Sequence, residues 1–111
     1  MNLKESIQSN SNEFLSLCES HDVKTLYAFG SSTNSQFDEV SSDIDLLVEL
    51  YTKDPIKRGE NLMDLWDKFE KIFQRKVDLL TKSSIKNPIL KRSIDSSKVL
   101  IYDGKERKVS F

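Results

Sequence analysis

Two short stretches of this chain carry residue types that do phosphate chemistry. The first is Asp43-Ile44-Asp45, which runs directly into Leu46-Leu47-Val48. Side chains alternate along a strand, so Asp43 and Asp45 point to the same side. Two carboxylates held that close repel, and one takes up a proton unless a cation lies between them. An oxygen-only pair of this kind suits Mg²⁺, which keeps several waters and takes one or two carboxylates plus substrate phosphates. The second stretch is Gly30-Ser31, which ends the hydrophobic run Leu26-Tyr27-Ala28-Phe29. A glycine at a strand end permits a sharp turn, and a serine after it can cap a short helix whose free N–H groups bind phosphate. A metal-binding pair and a phosphate cradle in one stretch are what a nucleotide-handling site needs.

The order of these features (strand, Gly30-Ser31, polar spacer, Asp43-Ile44-Asp45, aliphatic strand) resembles the signature of the minimal nucleotidyltransferases, members of the DNA polymerase β-like superfamily. The likeness runs from Val23 to Tyr102. It implies an α/β (α+β) fold: a single small mixed sheet with helices packed on it, a palm-like core carrying two metal-binding aspartates and a third carboxylate on a neighbouring strand. Lys76-Val77-Asp78-Leu79-Leu80 matches that third element, with Asp78 in the acidic position. The chain departs from the pattern in its spacer, Ser32 to Ser42, which contains no glycine, and at Ser32, where the family often has a basic residue. By this resemblance Asp43, Asp45 and Asp78 are the catalytic and metal-holding residues, and Gly30, Ser31 and Ser32 bind the nucleotide. The implied cofactor is Mg²⁺ or Mn²⁺, and the implied substrate is ATP.

The resemblance also implies a reaction. A nucleoside monophosphate, AMP from ATP, passes to an acceptor hydroxyl, with Asp78 taking the hydroxyl proton and pyrophosphate leaving. Stand-alone members of the family are often paired with a small helical partner of the HEPN type and act as antitoxins that add AMP to a tyrosine of a toxic ribonuclease. An antitoxin role in such a pair is the leading expectation. The alternatives are a binding module that neutralises its partner by contact alone, and a nucleotidyltransferase acting on a small molecule of the aminoglycoside type. No pocket for the base is recognisable in the sequence, so the expected completion of the site is a partner or a second copy of the chain. Exposed apolar residues such as Tyr51, Ile56, Val109 and Phe111 are the expected docking surface.

The elements that must position these groups follow from periodicity. Residues 2 to 20 predict a helix with Leu3, Ile7, Phe14, Leu17 and Cys18 on one face, broken near the weakly helical Gln8 to Asn12 into two pieces. His21-Asp22 makes the turn into a strand from Val23 to Phe29, and His21 is read as a solvated turn residue. Ser31 to Phe37 predicts a short helix, and Asp43 to Leu50 the second strand. Tyr51 to Lys57 reads as a loop, because Pro55 disfavours helix before it. The clearest helix is 59 to 74, where Leu62, Leu65, Trp66, Phe69, Ile72 and Phe73 form one apolar face opposite Asp64, Asp67, Lys68 and Lys71. Lys76 to Leu80 is the third strand. Asn87-Pro88 reads as an N-cap and first helical residue, opening a helix with Ile89, Leu90 and Ile94 inward. Val99 to Tyr102 is a last strand, and Gly104 to Phe111 a loose tail.

Composition bounds the rest. A chain of 111 residues with 37% hydrophobic and 32% charged residues predicts one soluble domain, residues 1–111, with residues 1–22 as an N-terminal helical segment. A net charge of −1 argues against strong binding of long nucleic acid, whereas a nucleotide carried with its own metal ion needs no basic surface. The single cysteine, Cys18, excludes an internal disulfide and fits a reducing compartment. No apolar run approaches a membrane span, and the N-terminus lacks a signal-peptide core, so a cytoplasmic location is expected.

Overall fold

The break in the N-terminal helix falls where the polar patch predicts it. Helices α1 (Leu3–Ser9) and α2 (Ser11–Ser20) meet at Asn10, whose side-chain amide donates to the Ser6 carbonyl (2.9 Å). The remaining elements are β1 (Val23–Phe29), β2 (Ile44–Leu50), α3 (Pro55–Phe73), β3 (Val77–Leu80), a 3₁₀ turn at Lys82–Ser84, α4 (Pro88–Ser97), β4 (Val99–Asp103) and β5 (Lys108–Val109). These come from a computed structural model that describes residues 3–30 and 43–109. The short helix expected at Ser31 to Phe37 lies outside the described residues. No described helix is long and apolar enough to cross a membrane.

The strands form one sheet in the order β3-β2-β1-β4-β5. β2 and β3 are parallel, with α3 as the crossover between them, and the other pairings are antiparallel. The architecture is therefore the mixed α+β sheet that the sequence predicts. Strand alternation gives the sheet two unlike faces. Leu26, Ala28, Ile44, Leu46, Val48, Val77 and Leu79 are buried against α1, α2 and α3. There Phe14 stacks on Phe69 with centroids 5.6 Å apart and meets Phe73 at 6.1 Å. Each such side chain contributes roughly 1.5–3 kcal/mol by leaving water, so this face supplies most of the stability. The opposite face carries Phe29 and Leu47, which pack with Ile94 of α4 in a smaller cluster. Asp45 and Asp78 also belong to that second, thinly covered face.

Several expectations are corrected. His21 is buried, not solvated. Both its ring nitrogens face acceptor oxygens: Nδ1 lies 2.9 Å from the Leu17 carbonyl and Nε2 lies 2.5 Å from Asp64 Oδ2 on α3. The hydrogen bonds from Lys68 and then from His21 hold the Asp64 carboxyl below its usual range. Pro55 begins α3 rather than delaying it, because the first helical position needs no N–H and Asp54 supplies the extended residue before it. α4 starts as expected, the Asn87 side chain accepting from the Ile89 N–H (2.9 Å), but only Ile94 points inward while Ile89 and Leu90 are exposed. The C-terminal segment is not loose through Val109. The Gly104 N–H donates to the Lys24 carbonyl (2.8 Å), and Lys108–Val109 returns along β4 as β5. Tyr51 and Ile56 are exposed, yet Tyr51 lies about 20 Å along the strand from Asp45, counting six residues at strand rise.

Candidate functional site

The site is built where three strands end side by side. In the sheet register Asp45 of β2 lies opposite Asp78 of the parallel strand β3 and opposite Phe29 of the antiparallel strand β1. The Asp45 and Asp78 side chains therefore leave the sheet on one face as direct neighbours. Asp43 stands just before β2, exposed, and Asp78 is exposed as well, while Asp45 is half-buried. Burial pushes the Asp45 carboxyl up to about 6, and the negative fields of Asp78 and then Asp43 add to the shift. The three sequence-predicted aspartates thus act on one another across the strand ends. Burial and like charge act in the same direction here, as they do where carboxylates are gathered at one site.

Gly30 follows directly after β1 and so beside Asp45. Its φ is +64°, a left-handed conformation that glycine adopts without steric cost. A Cβ placed there would stand 2.9 Å from Asp45 Oδ2, so the absent side chain is the space the carboxylate occupies. The Gly30 N–H donates to Ser97 Oγ (3.3 Å), and Ser97 Oγ donates in turn to the Ser93 carbonyl (3.0 Å). The end of β1 is thereby tied to the last turn of α4. The Gly30 N–H, expected in the phosphate cradle, is thus hydrogen-bonded to a side chain of the protein itself. Ser31 and Ser32 lie outside the described residues.

Asp78 sits on an edge strand, whose outward backbone groups need partners. Helix α3 supplies them at the adjacent residue. The Val77 N–H donates to Glu70 Oε2 (2.9 Å), and Trp66 Nε1 donates to the Val77 carbonyl (2.6 Å). Both backbone groups of Val77 are thus pinned, and Asp78 follows one residue later. The sequence reading placed Trp66 in the apolar stripe and passed over Glu70 and Ser97. The available signal was the polar tip of Trp66, which seeks a partner when its ring is buried. Cys18 has no part in this site: it lies in the core, and burial pushes its thiol up to about 12, so no thiolate nucleophile is present at neutral pH.

A divalent cation fits this donor set. Among the described residues no three His, Cys, Asp or Glu side chains converge into a preformed metal cage. Mg²⁺ does not need one, because it binds through one or two carboxylates and completes its shell with water and phosphate oxygens. The raised Asp45 carboxyl is the observation that a bound cation would reverse.

The family model described as polymerase beta, nucleotidyltransferase, matches residues 12–107. A Methanocaldococcus jannaschii protein provisionally named a protein adenylyltransferase is 37% identical over 100 residues, covering 90% of this chain and 93% of the relative. The solved structure of a minimal nucleotidyltransferase aligns with a TM-score of 0.62 at 23% identity, covering 89% of this chain and 95% of the other. A Shewanella oneidensis complex of a tri-AMPylated HEPN toxin with its MNT antitoxin aligns with a TM-score of 0.52 at 22% identity, covering 89% of this chain and 74% of the other. At these identities the two structures show a shared fold.

Proposed function

The chain belongs to the polymerase β nucleotidyltransferase family and is a nucleotidyltransferase; from that premise we propose that it transfers AMP from ATP to a hydroxyl of a protein acceptor, as the antitoxin partner of a HEPN-type protein. One observation carries the choice of site: Asp45 and Asp78 stand opposite each other across β2 and β3, with the Asp45 carboxyl raised by burial and by its acidic neighbours. The protein acceptor is supported by the adenylyltransferase name of the relative, and the HEPN-type partner by the fold shared with the MNT antitoxin.

In this reading Asp43, Asp45 and Asp78 hold Mg²⁺ or Mn²⁺, which when bound supplies Lewis-acid stabilisation of the phosphate oxygens. Asp78, the more exposed of the facing pair, accepts the proton of the acceptor hydroxyl as general base. The hydroxyl oxygen forms a bond to the α-phosphorus, the bond from that phosphorus to the β-phosphate oxygen breaks, and pyrophosphate departs with the electron pair. Asp45, less hydrated, stays a ligand and takes no proton from the acceptor. Gly30 leaves the room in which the Asp45 carboxylate points at the reacting phosphate. Ser31 and Ser32 bind the outer phosphates.

Co-expression with a HEPN-type partner tests this directly. Intact-mass measurement should find added AMP on the partner with the wild-type chain and none with Asp78→Asn, while the variant still binds nucleotide. Equal neutralisation of the partner by both chains with no change in its mass would mean that contact, not transfer, is the mechanism.

A further inference from the structure

The first half of α3 is locally weak. The helix runs from Pro55 to Asp64 before reaching its first buried residue, Leu65, and of that stretch Leu62 packs only partly on the core. Asp54 makes no side-chain cap bond, and Lys57 and Arg58 stand at the positive end of the helix dipole. Gly59 follows inside the helix, where only proline is a poorer choice. Its backbone does not call for glycine, since its φ is not positive. Nor does its surrounding, since a Cβ there would meet nothing within 4 Å. The chain's own packing thus gives no reason for the missing side chain. Close approach of a second body does.

Gly59 sits in an exposed apolar patch. Ile56 and Met63 are 73% and 69% exposed, and they share one face of α3 with Gly59, Glu60 and Asp67 at helical spacing. Beside the glycine a hollow of about 290 Å³ opens between Met63, Trp66 and Leu79, wide enough to seat an incoming side chain. The charges along this face select the occupant. Lys57 stands at its start, and Glu60, Asp64 and Asp67 follow, so the stretch is basic at one end and acidic at the other. Lys57 and Glu60 have no ion-pair partner among the described residues. A surface of that polarity is complementary to itself turned end for end, as a two-fold interface requires. With a second α3 laid antiparallel and the axis beside Gly59, Ile56 of each copy meets Met63 of the other. The two glycines let the backbones close up, and Lys57 comes between Glu60 and Asp64 of the other copy. A partner carrying charge of one sign would satisfy only one end.

We propose that this face of α3 is a self-association surface, through which two copies of the chain pair about a two-fold axis at Gly59. The pairing leaves the aspartates of both copies clear. α3 packs on the sheet face opposite Asp45 and Asp78, and Gly59 lies near the far end of β2, beside Val48, Glu49 and Leu50. The inference stands independently of the transfer reaction.

Analytical ultracentrifugation of the full chain across a concentration series, without nucleotide or any other protein, should show a monomer–dimer equilibrium. Met63→Glu should weaken the dimer about a hundredfold, because symmetry introduces the lesion twice and each is worth about a tenfold change. Met63 is exposed, so the variant should keep the Tm of the dilute monomer. Gly59→Ala should act with opposite signs, raising that Tm by about 4 °C while weakening the dimer. Lys57→Glu and Glu60→Lys should each pair poorly alone and pair with one another when mixed, since each reversed charge then meets its opposite across the axis. A chain that stays monomeric at every concentration overturns the proposal. So does a dimer that Met63→Glu or Gly59→Ala leaves intact, or a pair of charge variants that gains nothing on mixing. A monomer whose Met63 is needed only to bind a HEPN-type protein overturns it as well, and assigns the face to that partner.

Discussion

Replacing Asp45 by asparagine removes a charge that the fold holds at a cost, so the substitution should stabilise the free protein. The carboxyl is raised from 3.8 to about 6, first by burial and then by Asp78 and Asp43. Taken whole, a shift of about two units corresponds to ~3 kcal/mol. Asp45 is only half-buried, and solvent screening brings the expected effect down to about 1 kcal/mol. The sign follows from linkage. Below pH 3.8 the carboxyl is protonated in both the folded and the unfolded chain, and no penalty exists. Between 3.8 and about 6 the unfolded chain ionises first, so wild-type stability falls as pH rises, and above that window the penalty is complete. Asparagine does not titrate, so the gap between variant and wild type should open across the same window. Without divalent cations at pH 7.5, thermal denaturation should place Asp45→Asn about 4 °C above wild type. Saturating Mg²⁺ and ATP should invert the order. A ligand at a hundred times its Kd stabilises by ~2.7 kcal/mol, more than the penalty removed, and only the wild type should collect it. A variant less stable than wild type at pH 7.5, or a gap that does not change with pH, would refute the account of a mutually repelling carboxylate cluster.

Two further substitutions test the framework. Gly30→Ala should cost about 1–2 kcal/mol in urea denaturation, because a Cβ at positive φ is strained, and should depress transfer further because that Cβ stands 2.9 Å from Asp45 Oδ2; unchanged transfer would show that the carboxylate does not need this space. His21→Ala should cost about 1–3 kcal/mol by removing a buried hydrogen-bonding ring, with transfer activity retained per folded molecule; lost activity at full stability would place His21 in the reaction.

The sequence by itself determined what is local. The apolar stripe of α3 and the alternation that separates Asp45 from Leu46 are periodic patterns, and a short window of residues suffices to read them. The pairing of Asp43 with Asp45 and the glycine at the end of β1 were legible for the same reason. Pro55 shows the limit even of local signals: the same ring that forbids a helix interior is welcome at its first position, and only the element boundary distinguishes the two. The tertiary structure decided everything that depends on which strands lie side by side. Asp78 becomes the partner of Asp45 because β3 pairs with β2 in parallel through a helix crossover. His21 leaves the solvent because Asp64, forty-three residues on, waits on α3. Ser97 takes up the Gly30 N–H from a helix sixty-seven residues away. Spacing along the chain records none of these distances, since they are set by register and packing between elements that meet only in the folded state.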